Sequence, residues 1–225
     1  LVEGLPLDAL RGLEPEVLII EGTYGTARHP HRRQQENQLA ERISRAIAAG
    51  QSVVLPLPAL GLGQEILMLL RSHHQFTGRN LDIWVDGSVA AGCDAYLNLL
   101  PHLPTSVQNF SRHQPLFWDE RIRPRVRRLL PEQRGEVSQS PCIVLTDETA
   151  DLSEYFYPDT SPWLILLPQR PGRLGGSLES AGWIDLTNYW SPEAAQQLKN
   201  QIKTGRVTVE TYLLAQHCDG PGTTQ

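Results

Sequence analysis

The chain has 225 residues, of which 40% are hydrophobic and 20% charged, so it can bury one large core or one and a half small ones. Its net charge of −5 excludes a protein that binds nucleic acid simply by being basic overall, although a local basic patch is compatible with it. No apolar run approaches the roughly 20 residues that cross a bilayer. Three widely spaced cysteines argue against a disulfide framework and against a zinc motif. We therefore expect a cytoplasmic protein that does not enter membranes. Met68 is the only methionine and Leu1 is not an initiator residue, so we also expect the chain to be a segment of a longer protein.

Strand-like and helix-like segments alternate over the first hundred residues. Short apolar, β-branched runs predict strands, and apolar residues spaced three or four apart predict helices. The predicted strand and helix pairs are 15–20 with 33–49, 52–55 with 61–70, and 81–85 with 92–100. Repeated βα units predict an α/β fold, with a Rossmann-like parallel sheet covered by helices on both faces.

The second half of the sequence is less regular. Residues 116–130 predict a helix that is interrupted at Pro124, and residues 131–140 predict an exposed turn. Strands are expected again at 142–145, 163–167 and 207–214. A helix is predicted over 192–203, with Ser191 as its N-cap.

Two short motifs resemble ligand sites but are incomplete. Gly61 and Gly63 stand between a strand and a helix, yet Ile66 occupies the third glycine position of a dinucleotide-binding motif. We interpret the two glycines as a packing feature. His29 and His31 have the spacing of some zinc sites, but no further ligand follows nearby, so we interpret them as exposed residues at a helix start.

Five arginines crowd into one short stretch, at positions 121, 123, 125, 127 and 128. Such a run is compatible with contacts to a phosphate backbone. It is equally compatible with a solvated face balanced by the nearby acids Asp119, Glu120 and Glu132. Asp147 and Glu148 follow a predicted strand without a visible acid or base partner, and we interpret them as part of a loop.

Three stretches together carry a family resemblance. They are EGTYG at 21–25, VVLPLPALGLGQEILMLL at 53–70 and YLLAQHCDG at 212–220. They resemble the β-CASP domain, a cap module of metallo-β-lactamase-fold nucleases, whose pattern is close to ESTYG, then PxxALGRxQE, then SxHxD. The order and separation match, so the chain resembles a divergent relative of the endonucleases that process messenger-RNA 3′ ends.

The resemblance implies a division of the chain. Residues 1–25 would close the metallo-β-lactamase core and carry the acidic motif, and residues 26–205 would form the β-CASP domain. Residues 206–225 would return to that core with the histidine motif. Short flanking strands of the metallo-β-lactamase fold would accompany the parallel sheet, and the rest of that core would be a partner. A homodimer is a further expectation.

The resemblance also assigns site residues. Glu21 and His217 correspond to the acidic and histidine motif residues, which meet near the scissile phosphate in that family. A carboxylate beside an imidazolium stabilises and orients it, so His217 would protonate the leaving oxygen while Glu21 orients the ring. Thr23, Tyr24 and Arg173 would bind single-stranded RNA. A buried pair that only ties the cap to the core is the alternative for Glu21 and His217.

The zinc ligands of the family would lie outside this chain. Two zinc ions are therefore expected in the full-length parent, and no metal site within the chain. The function implied is a zinc-dependent phosphodiesterase acting on RNA, inactive as an isolated fragment. Three departures from the pattern, at Gly22, Leu62 and Ala215, keep open a degenerate, non-catalytic RNA-binding or scaffold subunit. A self-standing Rossmann-like enzyme is a weaker third hypothesis.

Overall fold

The computed structural model describes residues 14, 16–17, 31–156, 161–168 and 190–212. Within these residues the chain forms six strands and five α-helices. In chain order they are α1 (Arg32–Ala48), β1 (Ser52–Leu57), α2 (Leu62–Ser72), β2 (Asp82–Val85), α3 (Gly87–Asn98), α4 (Thr105–His113), β3 (Arg125–Arg128), β4 (Ile143–Asp147), β5 (Trp163–Pro168), α5 (Pro192–Lys203) and β6 (Val207–Tyr212).

All six strands form one sheet in the order β3-β2-β4-β1-β5-β6. Every neighbouring pair is parallel. The predicted α/β fold with a parallel sheet is therefore confirmed. The predicted strand at 15–20 falls largely outside the described residues.

The central strands are apolar because both of their faces are covered. All six residues of β1 are buried. Val53, Leu55 and Leu57 join the larger core cluster, together with α1, α2 and α3. Val54 belongs to the second cluster, on the other face, with residues of α5. Alternation of side chains along each strand sends successive residues to opposite faces, so a strand covered on both faces must be continuously apolar. No helix among the described residues is long and apolar enough to cross a membrane.

The predicted helix over 116–130 is wrong. A shorter helix, α4, precedes this stretch, and Arg125–Arg128 is the edge strand β3, paired with β2 from Asp82↔Arg125 onward. Val126 is 1% exposed, so one apolar side chain anchors an otherwise charged strand in the core. Pairing with β2 is a non-local contact, and it overrides the local pattern from which we predicted a helix.

The connections leave the middle of the sheet on opposite faces. The chain passes from β1 into α2, which packs in the larger core cluster, and from β4 into the turn Leu152–Tyr155, which packs in the second cluster. Because β1 and β4 are neighbours, a crevice is expected beyond their carboxyl ends. We call this side of the sheet the carboxyl edge.

Candidate functional site

All five site residues assigned by the family resemblance lie outside the described residues. They are Glu21, Thr23, Tyr24, Arg173 and His217. Their roles stay predictions, and so does the meeting of Glu21 with His217. The structure does describe the elements to which two of these residues are attached: α1 begins eleven residues after Glu21, and β6 ends five residues before His217.

Both of these elements reach the carboxyl edge. The last residue of α1, Ala48, is joined by three residues to the start of β1, so this end of the helix lies at the opposite edge. At the other end of α1, Nη2 of Arg32 donates to Glu65 Oε2 at 3.0 Å, in the first turn of the helix that follows β1. β6 runs parallel to β5, so Tyr212 also ends at the carboxyl edge. The chain therefore enters α1 and leaves β6 at the same edge of the sheet, the carboxyl edge.

A second ion pair joins α1 directly to β6. Arg42 donates from Nε to Glu210 Oε2 at 2.7 Å and from Nη2 to Oε1 at 2.6 Å. The hydrogen bonds to Glu210 raise the pKa of Arg42, against a smaller opposing effect of burial. Glu210 thus keeps Arg42 in its charged form, and the ion pair holds α1 next to β6.

In the motif ALGLGQE at 59–65 the structure confirms the packing interpretation for Gly63, whereas Gly61 is required by its backbone conformation. Gly61 has a φ of +83°, in the left-handed region that favours glycine. A Cβ atom on Gly63 would lie 2.9 Å from Val89 Cγ1, and one on Gly92 would lie 2.0 Å from the carbonyl oxygen of Ala59. These contacts let α2, α3 and the loop after β1 approach one another closely.

The polar residues of the same motif tie elements together. The fully buried Gln64 donates from Nε2 to the carbonyl oxygens of Ala59 at 3.0 Å and Val89 at 3.3 Å. Glu65 accepts from Arg32, as described above. Burial opposes the charge of Arg32, but its hydrogen bonds and the nearby carboxylates outweigh burial and raise its pKa. In this chain the motif therefore fixes the loop after β1 and the start of α1.

A buried hydrogen-bond network fills the carboxyl edge between β2 and β4. Asp86 is 1% exposed and accepts from Gly87 N at 2.6 Å, which makes it the N-cap of α3. Arg134 donates to both of its oxygens, from Nε at 2.7 Å and from Nη2 at 3.2 Å. The Tyr155 hydroxyl also donates to Asp86 and lies 3.0 Å from Thr146 Oγ1. Burial, reinforced by the Asp86 carboxylate, raises the pKa of Tyr155.

Sequence reasoning missed this network. Asp86 followed by Gly87 directly after a strand is a local signal for a helix N-cap. Arg134 and Tyr155 carry no comparable signal, because they come from irregular segments that only the fold brings together.

A second carboxylate, Asp147, lies next to this network. It ends β4 and accepts from the backbone N–H of Ser88 at 2.8 Å and from the Ser88 hydroxyl. Burial raises the pKa of Asp147, and the charge of Asp86 adds to this effect. The carboxyl edge between β2 and β4 therefore carries two carboxylates, and Arg134 balances the charge of the one at Asp86.

The arginine-rich stretch is mostly paired with acids. Arg127 Nε lies 3.2 Å from Glu120, and the Arg127 guanidinium lies over Trp84. Arg128 pairs with Asp94 and lies 4.8 Å from the ring centroid of Trp118. Arg125 pairs with Asp82. These contacts favour the balanced, solvated face over a phosphate-tracking surface at these three positions.

The described residues do not offer a metal site. No group of three or more histidine, cysteine, aspartate or glutamate side chains within them is placed to hold a metal ion. The imidazoles of His73 and His74 stack at 4.3 Å, but Nε2 of His73 lies 3.0 Å from Asn37 Oδ1.

Two cysteines are buried and free, so we expect their thiols to react slowly. Burial raises the pKa of Cys93 to about 11 and that of Cys142 to about 12. Because the thiolate is the nucleophile, we expect alkylation by iodoacetamide at pH 8 to be more than about 100-fold slower than for an unfolded peptide. Peptide mapping by mass spectrometry reads each position separately, and alkylation in urea provides the reference. Fast labelling of native Cys142 would contradict the closed packing of β4.

Comparison with known proteins finds relatives but no matching family model. The chain aligns over its whole length with the uncharacterised protein sll0514 of Synechocystis sp., at 46% identity over 230 positions that cover 38% of that protein. An RNase J-like protein of Methanocaldococcus jannaschii is 30% identical over 136 residues, which are 59% of the chain and 31% of that protein. Endoribonuclease ysh1 of Schizosaccharomyces pombe is 29% identical over 216 residues, 91% of the chain and 27% of that protein.

The chain is thus distantly homologous to β-CASP ribonucleases over part of its length. It spans between 27% and 38% of the length of these three relatives.

Proposed function

We propose that the chain is the β-CASP portion of a zinc-dependent ribonuclease and that it contributes Glu21 and His217 to the active site. The observation that carries this proposal is that α1 begins and β6 ends at the carboxyl edge, at Arg32 and Tyr212. The distant homology to β-CASP ribonucleases supports the same assignment.

The lengths of the connecting segments are compatible with a meeting of the two residues. Ten residues lead from Glu21 to His31 and can span up to about 33 Å. Five residues lead from Tyr212 to His217 and can span up to about 17 Å. Since α1 and β6 are joined through Arg42 and Glu210, a common meeting point beyond the carboxyl edge is within reach of both segments.

In the proposed reaction, hydroxide forms a new bond to the scissile phosphorus, the bond from phosphorus to the leaving oxygen breaks, and His217 donates a proton to that oxygen. Glu21 accepts a hydrogen bond from the other ring nitrogen, which fixes the ring and favours its protonated form. The zinc ions of the proposal would be held by the remainder of the parent protein, because the described residues do not fit them.

The test is cleavage of labelled single-stranded RNA by the full-length parent. We expect cleavage that is lost after chelation and restored by added zinc. The lengths and end groups of the products identify the cleavage position. A fully zinc-loaded parent that binds this RNA and leaves it intact would contradict the proposal.

A second candidate, a non-catalytic RNA-binding or scaffold subunit, is favoured by one observation. Leu62 stands where the family pattern has an arginine, and its side chain is 6% exposed and packed in the larger core cluster. A cation that would face a polyanion is therefore replaced by a buried apolar group. Intact RNA bound by the zinc-loaded parent would favour this candidate.

A further inference from the structure

We propose that the Arg42–Glu210 ion pair is a positioning clamp that sets α1 and β6, the elements from which the segments with Glu21 and His217 extend, in register with each other. This inference rests on the proposed function, because its effect is exerted through Glu21 and His217. Neither Arg42 nor Glu210 belongs to the motifs that carry the family resemblance.

The pair connects the two elements that matter for the site. Arg42 lies on α1, the first described helix after Glu21, and Glu210 lies two residues before the end of β6, the last described strand before His217. The residues are 168 positions apart in sequence, so the contact exists only in the folded chain. The side chains of Arg42 and Glu210 thereby link α1 directly to β6.

The geometry of the ion pair fixes the orientation of the Arg42 guanidinium relative to the Glu210 carboxylate as well as the distance between them. Two parallel hydrogen bonds, at 2.7 and 2.6 Å, join both carboxylate oxygens to two guanidinium nitrogens. A bidentate fork of this kind adds geometric specificity that a single charge contact lacks. Shifting α1 along its axis relative to β6 would break at least one of the two bonds.

Packing already holds both elements in the fold. Leu39 and Ile43 anchor α1 in the larger core cluster, and β6 pairs with β5 along its whole length. The side chains of Arg42 and Glu210 are 28% and 43% exposed, and ion pairs with this exposure contribute little to stability. The ion pair can therefore set the position of α1 relative to β6, although both elements form without it.

The experiment measures RNA cleavage by the full-length parent carrying Arg42→Gln, Glu210→Gln or the exchanged pair Arg42→Glu with Glu210→Arg. We expect each single variant to lower kcat about tenfold, with KM changed less than about twofold, because small misplacements of catalytic groups are costly. We expect the exchanged pair to recover part of that loss. Arg45→Gln, on an exposed residue of the same helix, is the matched control and should leave kcat unchanged.

Melting temperature separates positioning from stability. We expect the single variants to melt within about 4 °C of wild type. A loss of kcat that is accompanied by a much larger drop in melting temperature, and is not recovered in the exchanged pair, would overturn the inference. Unchanged kcat in both single variants would also overturn it.

Two further variants distinguish this inference from the proposed function. If Glu21→Gln and His217→Ala abolish cleavage while Arg42→Gln and Glu210→Gln do not affect it, only the clamp fails. If Glu21→Gln and His217→Ala cleave at the wild-type rate, the proposed function fails, and the clamp fails with it.

Discussion

The His217→Ala variant of the full-length parent is expected to cleave single-stranded RNA about 10²- to 10⁴-fold more slowly than wild type. The proposed role of His217 is to protonate the leaving oxygen, and without a proton the alkoxide is a poor leaving group. Single-turnover cleavage with enzyme in excess measures this step directly. Zinc content, measured on the same samples, should not change.

The leaving group offers a decisive comparison. An RNA in which sulfur replaces the bridging oxygen that leaves, as identified from the product end groups, releases a thiolate, which needs no proton. We expect the deficit of His217→Ala to shrink strongly on this substrate. An equal deficit on both substrates would contradict the role of His217 as a proton donor.

Two variants complete the test of this role. Glu21→Gln removes the charge that favours the protonated ring, so the alkaline limb of the rate profile should move to lower pH. His113→Ala changes an exposed histidine at the end of α4 and should leave rates unchanged.

The Arg134→Met variant is expected to weaken the sheet at β2 and β4 by about 2 to 4 kcal/mol. Removal of the guanidinium leaves the Asp86 carboxylate buried, with hydrogen bonds only from Gly87 and Tyr155 among the described residues. Hydrogen exchange measured by mass spectrometry on peptides from both strands reports the local stability in the intact parent.

Matched variants separate the buried charge from other effects. Arg134→Met combined with Asp86→Asn should recover most of the stability, because asparagine is neutral and still caps α3. Glu154 is the exposed second partner of Arg134, so Glu154→Gln should cost less than about 1 kcal/mol. Exchange in Arg134→Met that matches wild type would contradict the importance of the network.

The prediction of the fold succeeded where strands and helices carry their own pattern. β1 is buried on both faces and is therefore a continuous apolar run, whereas α1 is buried on one face and has apolar residues three or four positions apart. Each pattern specifies its element locally. It failed at β3, where Val126 alone is apolar and flanking arginines obscure the pattern. Contact with β2, about forty residues away, decides that this segment is a strand.

Gly61 and Gly63 were predicted as a packing feature, and the structure confirms this for Gly63 and adds the reason. Gly63 is required by the close approach of Val89 on α3, and Gly92 by the close approach of the loop carbonyl of Ala59. No sequence pattern indicates the requirement at Gly92. Glu65 was recognised within a motif, but its partner Arg32 was not, since the two residues lie on different helices.

The sequence by itself determined that the chain has an α/β architecture with repeated βα units, and the family resemblance of its motifs predicts the roles of Glu21 and His217. Local spacing of apolar residues and a few short motifs are enough for these conclusions. Only the tertiary structure decided that α1 begins and β6 ends at the same edge and that the two elements are joined through Arg42 and Glu210. It also decided that Asp86, Arg134 and Tyr155 share one buried network. Those contacts depend on the order of the strands in the sheet. Pairing between strands that are distant in sequence sets this order, so no local sequence pattern predicts it.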